Sequence, residues 1–297
     1  MILEHIVKDE NKTINQILQE EFELSNRLFS KLIKNKRITV NGKDVDTRLS
    51  ANIGEKITID LNYPEDNSNI ISKKMNLDIV YEDDGLLILN KPAGIAVHPS
   101  IQHYENSLAS GVKYYFESIG IHKKIRPVNR LDLNTSGLII FAKNEYIQEV
   151  LIRQMERGTF SKEYIAIVAG TLENKKDIIN EPIARRENSI IERCVSEFGQ
   201  KAITEYEVLQ KNNMYSIVRC KLITGRTHQI RVHMAYIGHP LLGDTLYGTP
   251  SDLMDRQALH CYKIAFIHPV ICEKMEFKLE LPDDLKKFYC IGNIDFC

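Results

Sequence analysis

The chain of 297 residues is defined first by what it lacks. No uncharged apolar run approaches the ~20 residues that a membrane-spanning helix needs, which excludes an α-helical membrane protein. The N-terminus, MILEHIVKDE, carries acids close to the start and no signal-peptide core, so a cytoplasmic location is expected. A net charge is missing too. Lys and Arg number 39 against 40 Asp and Glu, a formal balance of −1, so any nucleic-acid contact must rest on local patches and not on a global field. The six cysteines (Cys194, Cys220, Cys261, Cys272, Cys290 and Cys297) form no C-x-x-C pair and no regular series, and read as reduced structural thiols. His228 with His233, and His260 with His268, have no zinc-type ligand set around them, and no metal is expected.

What remains is ordinary globular material, 43% hydrophobic and 27% charged, long enough for two domains or one with an appendage. Residues 12–60 read as a small unit. Ile14, Ile17 and Leu18 repeat at helical spacing, and a second helix follows an N-cap at Ser25 with Leu28, Leu32 and Ile33 on its apolar side. Arg27, Lys31 and Lys34 form a basic stripe on another face of that helix. Then come a strand at Ile38–Val40, an Asn41–Gly42 hairpin turn and a strand at Lys56–Ile59. From Arg27 to Arg48 there are seven basic residues against two acids. Residues 62–72, rich in Asn, Asp, Ser and Pro, read as a linker.

The rest of the chain turns on Arg126 to Asn144, RPVNRLDLNTSGLIIFAKN. Leu138–Ala142 is an uncharged strand-length run and is expected to be buried on both faces. Turn residues Asn134–Gly137 precede it, and Arg130 and Asp132 stand just ahead. Extended backbone would put those two charges on one face and Leu131 in the core. By composition alone this is no more than a surface ion pair beside a turn. Upstream, the strand Leu86–Leu89 runs into a Lys91-Pro92-Ala93-Gly94 turn, and Leu108–Tyr115 has the length of a short helix. Downstream, Asn144 caps a helix bearing Ile147, Val150, Leu151 and Met155 and ending at Gly158. A strand then places Tyr164, Ala166 and Val168 on one side. Further on, TGRTHQIRVH (224–233) sets Arg226 at a strand-to-helix junction with Thr227 as the expected N-cap, and anions are often met at such junctions.

Taken in order, these segments closely resemble the motifs of RluA-type pseudouridine synthases. The match runs over Val128–Asp132, Thr135–Leu138, the KPAG turn, KEYIAIVAG and TGRTHQIRVH, and covers nearly the whole chain. Asn129 stands where the family pattern has His. The helices, VNGK turn and closing strand of the N-terminal segment resemble an S4 RNA-binding domain. The resemblance implies an α+β fold: a mixed, mostly antiparallel sheet with flanking helices, plus a small S4-like α/β domain. The expected division is 1–62 for RNA binding, 63–72 for the linker and 73–297 for catalysis.

The activity implied is isomerisation of uridine to pseudouridine in structured RNA, with large-subunit ribosomal RNA favoured by the S4-like domain. Asp132 maps onto the family nucleophile, Tyr164 onto the Tyr beside it, and Arg226 onto the Arg that pairs with the Asp. Arg130 maps onto the Arg that fills the space left by the flipped base. Arg27, Lys31 and Lys34 become the expected RNA contacts. No cofactor, metal, DNA or membrane partner is called for, and a monomer is expected. Three other readings compete: a transfer-RNA synthase, an RNA-binding protein that has lost turnover, and a small-molecule hydrolase with an Asp nucleophile. The retained Asp132, Tyr164 and Arg226 argue against lost turnover. The absence of a second carboxylate motif argues against the hydrolase.

Overall fold

The computed structural model describes residues 1–8, 12–99 and 105–289, so Cys290 and Cys297 lie outside the described residues. Strand β1 (Ile2–Ile6) opens the chain, followed by helices α1 (Ile14–Glu21) and α2 (Asn26–Lys34), then β2 (Ile38–Val40), β3 (Lys43–Asp44) and β4 (Lys56–Asp60). The four strands form one antiparallel sheet in the order β1-β4-β2-β3. Thr13 starts α1 with a capping box to Gln16 that the sequence reading did not call, and Ser25 caps α2 through the Leu28 N–H, as the sequence predicts. Asn41 and Gly42 both take positive φ, 48° and 76°, which suits the tight turn between β2 and β3. The sequence reading began this unit at residue 12 and did not foresee β1. Its five residues have no clean alternation, and pairing with β4 is what makes them a strand.

The larger sheet takes β5 (Ile79–Glu82), β6 (Leu86–Lys91), β7 (Arg126–Pro127), β8 (Ser136–Ala142) and β9 (Ser161–Ala169). Beyond the short hairpin strands β11 (Ile183–Arg185) and β12 (Arg193–Val195), it adds β10 (Lys176–Asn180), β13 (Ile203–Lys211), β14 (Tyr215–Leu222), β15 (Leu259–Ile267) and β16 (Lys274–Lys278). The main path runs β10-β13-β14-β9-β15-β8-β6-β5, with β16 on β15 and β7 on β8. Helices α3 (Leu108–Ser118), α4 (Glu145–Arg157), α5 (Gln229–Tyr236) and α6 (Asp283–Lys286) flank it. This is the expected α+β architecture. Among the described residues all pairings of these strands are antiparallel except β8 with β15. No helix among the described residues is long and apolar enough to cross a membrane.

Every residue of β8 is buried, because β6 and β15 cover its edges while helices and side chains cover its faces. Its first turn into the sheet depends on Gly137. At φ +115° a Cβ there would stand 2.2 Å from the carbonyl oxygen of Cys261 on β15, so only glycine lets the parallel strands meet. Asp132 is therefore delivered at the mouth of the most deeply buried strand. Asn129, the departure from the family pattern, is itself buried. Its amide donates to the Leu138 carbonyl (3.1 Å), and its Oδ1 accepts from the Ile140 N–H (2.9 Å), so it stitches the Asp-bearing segment onto β8.

The N-terminal sheet does not hang free. Residues 63–72 include Glu65, whose carboxylate accepts two hydrogen bonds from Arg126 (2.7 Å each) and one from Lys31 (3.1 Å). Lys31 also reaches Glu145 of α4 at 2.8 Å, and Arg27 meets the same carboxylate at 2.5 Å. The expected basic stripe thus faces the larger unit over much of its length. Of its three members only Lys34 has no ion pair among the described residues. Arg27 and Lys31, the expected RNA contacts, are thus ion-paired to Glu145 and Glu65, with the Arg27 side chain still 78% exposed.

Candidate active site

Four stretches converge on one cleft. The segment ahead of β8 supplies Arg130, Leu131 and Asp132, and β9 supplies Lys162 and Tyr164. The loop after β14 supplies Gly225–His228, and the first turn of α5 supplies Gln229–Arg231. Asp132 is the only carboxylate lining the cleft among the described residues. Two contacts hold the backbone beside it. The N–H of Gly94 donates to the Leu133 carbonyl at 3.0 Å, and the ammonium of Lys91 donates to that same carbonyl at 2.9 Å. Lys91 also donates to the carbonyls of Pro92 and Ile95, each at 2.8 Å. Its burial pushes the ammonium down to about 7, while the nearby charge of Asp132 pulls the other way. The KPAG turn is thereby bolted to the Asp132 segment, a role that no local reading of the turn supplies.

The arginine against Asp132 is Arg231, not Arg226. Arg231 Nη1 donates to Asp132 Oδ2 at 3.1 Å. Its Nε and Nη2 donate to the two oxygens of Asp244 at 2.6 and 2.8 Å. Asp244 is buried and also accepts from the N–H groups of Leu246 and Tyr247. Burial opposes the charge on Arg231, but Asp244 and then Asp132 outweigh it and raise its pKa further. One guanidinium thus spans two carboxylates: one fixes its plane and the other receives its remaining edge. The Tyr247 ring lies 5.0 Å beneath it. Gly243 permits this arrangement, since a Cβ there would stand 2.3 Å from the Arg256 carbonyl oxygen.

Arg226 points elsewhere. Its Nε donates to the Lys201 carbonyl at 3.0 Å, and its side chain lies at the rim. Thr227 does not cap α5. The residue before the helix is His228 in the left-handed region (φ 59°), with no side-chain cap, and that turn swings Arg226 away from the helix while Arg231 remains on it. The His228 ring packs 3.8 Å from Asp132 and shares a 2.8 Å hydrogen bond with the Tyr247 hydroxyl. Burial lowers its pKa despite the neighbouring Asp132, so the ring is neutral at pH 7. His233 is bound by the Thr204 hydroxyl and the Glu181 carbonyl, and His260 by the Ser136 hydroxyl, which gives each a structural partner.

Tyr164 is placed where the alternation predicts, inside the cleft and buried on β9 opposite Cys261. Its burial, with Cys261 and Asp132 adding to the effect, raises the phenol well above its usual value. The hydroxyl is therefore protonated at neutral pH. Arg130 is exposed on the cleft wall. Arg231, Asp244, His228 and Lys91 are the residues that motif reading left out of the site. For Arg231 the signal was present in the same HQIR run, but nothing local separates it from Arg226.

Comparisons with known proteins converge on one family. A family profile described as RNA pseudouridylate synthase matches residues 85–236, the stretch that carries Asp132, Tyr164, Arg226 and Arg231. The uncharacterized RNA pseudouridine synthase YhcT of Bacillus subtilis is 39% identical, over 94% of this chain and 93% of its own length. The ribosomal large subunit pseudouridine synthase D of Vibrio cholerae is 35% identical, over 84% of this chain and 81% of its own. Among solved structures, human RNA pseudouridylate synthase domain containing 1 superposes with a TM-score of 0.58 at 27% identity, covering 70% of this chain and 84% of that one.

Proposed function

Since the chain belongs to the RNA pseudouridylate synthase family, we propose that it isomerises uridines of large-subunit ribosomal RNA with Asp132 as the nucleophile. The observation that carries this is the clamp on Asp132: a single cleft carboxylate, held at 3.1 Å by an arginine that a second, buried carboxylate has already oriented. The clamp fixes the aim of Asp132, which is where such a site gains most of its rate. The target uridine leaves the stack to enter the cleft, a step that takes a few kcal/mol. Isomerisation breaks the bond from C1′ to N1 and makes one from C1′ to C5, and the bond that Asp132 forms in between, at C1′ or at C6, is broken again before release. The C5 proton leaves and N1 regains one, so atoms balance without a co-substrate.

Tyr164 offers its ring to the base. Because its phenol is protonated, it takes the carbon-bound proton only as its own proton departs. Arg130, on the wall beside Asp132, occupies the space that the flipped base vacates in the duplex. Residues 1–62 act as an S4-like arm that meets RNA through Lys34 and its exposed neighbours, 63–72 join it to the body, and 73–297 carry the chemistry. Relatives named for the ribosomal large subunit, 32–35% identical to this chain, support the choice of RNA. The setting is the cytoplasm and the working unit a monomer. The test is incubation of the protein with unmodified ribosomal and transfer RNA, followed by digestion to nucleosides. Pseudouridine in the large-subunit RNA is the expected result. Pseudouridine in transfer RNA alone would move the substrate, and none in either would end the reading.

A further inference from the structure

A second concave surface adjoins the cleft, and no role in the reaction falls to it. It runs between the β11–β12 hairpin and the loop after β14, and Gly225, Arg226 and Thr227 wall both spaces. Its volume of about 530 Å³ lies within the roughly 300–1,000 Å³ of ligand-sized sites. Every charged residue lining it is an arginine: Arg185, Arg193 and Arg226. None of the three has an ion-pair partner among the described residues. Arg193 Nη1 donates to the carbonyls of Ile191 and Glu192, and Arg226 Nε to that of Lys201, so backbone oxygens hold these side chains without cancelling their charge.

The rim carries an aromatic ring that a folded protein rarely leaves outside. Phe198 is 90% exposed. It sits in a four-residue turn closed by the Gly199 N–H on the Ser196 carbonyl (2.8 Å), with its own N–H on the Ser196 hydroxyl (3.3 Å). Gly199 packs so tightly on β11 that a Cβ would stand 2.5 Å from the Ile183 backbone. The ring is therefore displayed by a turn anchored to the sheet, next to three uncompensated guanidiniums. A positively charged groove with an unpartnered aromatic face is the pattern that takes single-stranded nucleic acid: phosphates pair with the cations, and a base stacks on the ring.

We propose that this groove binds the single-stranded RNA flanking the target uridine, with Arg185, Arg193 and Arg226 on phosphates and a neighbouring base stacked on Phe198. The inference rests on the synthase reading for its substrate and gives that substrate a requirement: an unpaired nucleotide beside the modified position. It also places sequence-independent affinity next to the cleft, in addition to what Lys34 of the N-terminal unit supplies.

The chain has no tryptophan, so Phe198→Trp installs a single reporter at the rim. The full-length variant is titrated with an unmodified transcript of large-subunit ribosomal RNA. Tryptophan emission should be quenched in step with binding measured by filter retention. Phe198→Ala should weaken retention by about 5- to 150-fold, the range expected for one lost stack. Arg185→Ala should lower the slope of log affinity against log salt by about 0.7. Circular dichroism confirms that each variant is folded, and pseudouridine formation by the wild type is assayed on the same transcript. Unquenched emission on bound RNA, or unaltered affinity in Phe198→Ala, overturns the groove while leaving the reaction untouched. Quenching and weakened binding with no pseudouridine from the wild type would leave the groove standing and overturn the reaction.

Discussion

Two basic regions of this molecule, each with three cations, put their charge to different uses. Helix α2 carries Arg27 and Lys31 against Glu145 and Glu65, both carboxylates nearly dry. The far side of the cleft carries Arg185, Arg193 and Arg226, held by backbone oxygens or by nothing charged. These pairs tie the two units together through buried carboxylates, while the Arg27 side chain itself stays 78% exposed. A cation held by carbonyls keeps its charge for a ligand. The count of basic residues along a sequence therefore measures neither role. Arg231 is an intermediate case, with one edge of its guanidinium on Asp244 and the other on Asp132.

The largest effects should come from that intermediate site. Asp132→Asn is nearly isosteric and should keep folding and RNA binding while single-turnover conversion falls below detection. Arg231→Ala should slow conversion by at least about 100-fold through lost aim of the carboxylate. Arg226→Ala should leave the rate constant within a few-fold and weaken binding instead. Because Asp132 and Arg231 act on one step, the double variant should be scarcely slower than Asp132→Asn. Were Arg226→Ala to match Arg231→Ala at saturating RNA, the division between clamp and groove would collapse.

Tyr164→Phe keeps the ring and should keep affinity, with product formation slowed or stopped. A variant as fast as wild type would reduce Tyr164 to packing. On the N-terminal side the expected loss is of stability. Glu65→Gln strips the buried Arg126 of its two-pronged partner and should lower unfolding stability in urea by about 3–5 kcal/mol, with the salt dependence of RNA binding unaltered. A flattened salt slope in that variant would show that these charges do serve RNA.

Acid should reveal the same weld. Burial alone would raise the Glu65 carboxyl, but Arg126 and then Lys31 outweigh burial and bring it down to about 2 from an ordinary 4.5. A depressed carboxyl stabilises the fold fully above its unfolded value and loses that contribution as pH falls toward its folded one. Wild-type stability should therefore decline between about pH 4.5 and 2, with the decline shallower in Glu65→Gln, as urea midpoints across that window would show. The smallest change should come from Lys34→Ala. With no ion pair among the described residues, it should leave stability intact and trim the salt slope by less than about one contact.

The sequence alone determined the elements whose causes are local. Capping at Ser25 and Asn144, the left-handed stop at Gly158, the Asn41–Gly42 turn and the buried run at Leu138–Ala142 all form as their residues dictate, because each depends on neighbours a few positions away. The order of the motifs was equally legible, and it placed Asp132 and Tyr164 in one cleft. Only the tertiary structure decided which arginine of TGRTHQIRVH meets Asp132. That choice depends on a left-handed turn at His228 and on Asp244, a partner brought in from beyond the helix. It also decided that Asn129 serves β8, that Lys91 braces Leu133, and that Arg27 and Lys31 pair with Glu145 and Glu65. Each of these depends on a partner set by how the sheet closes, and charge pairs across such distances leave no periodicity in the chain.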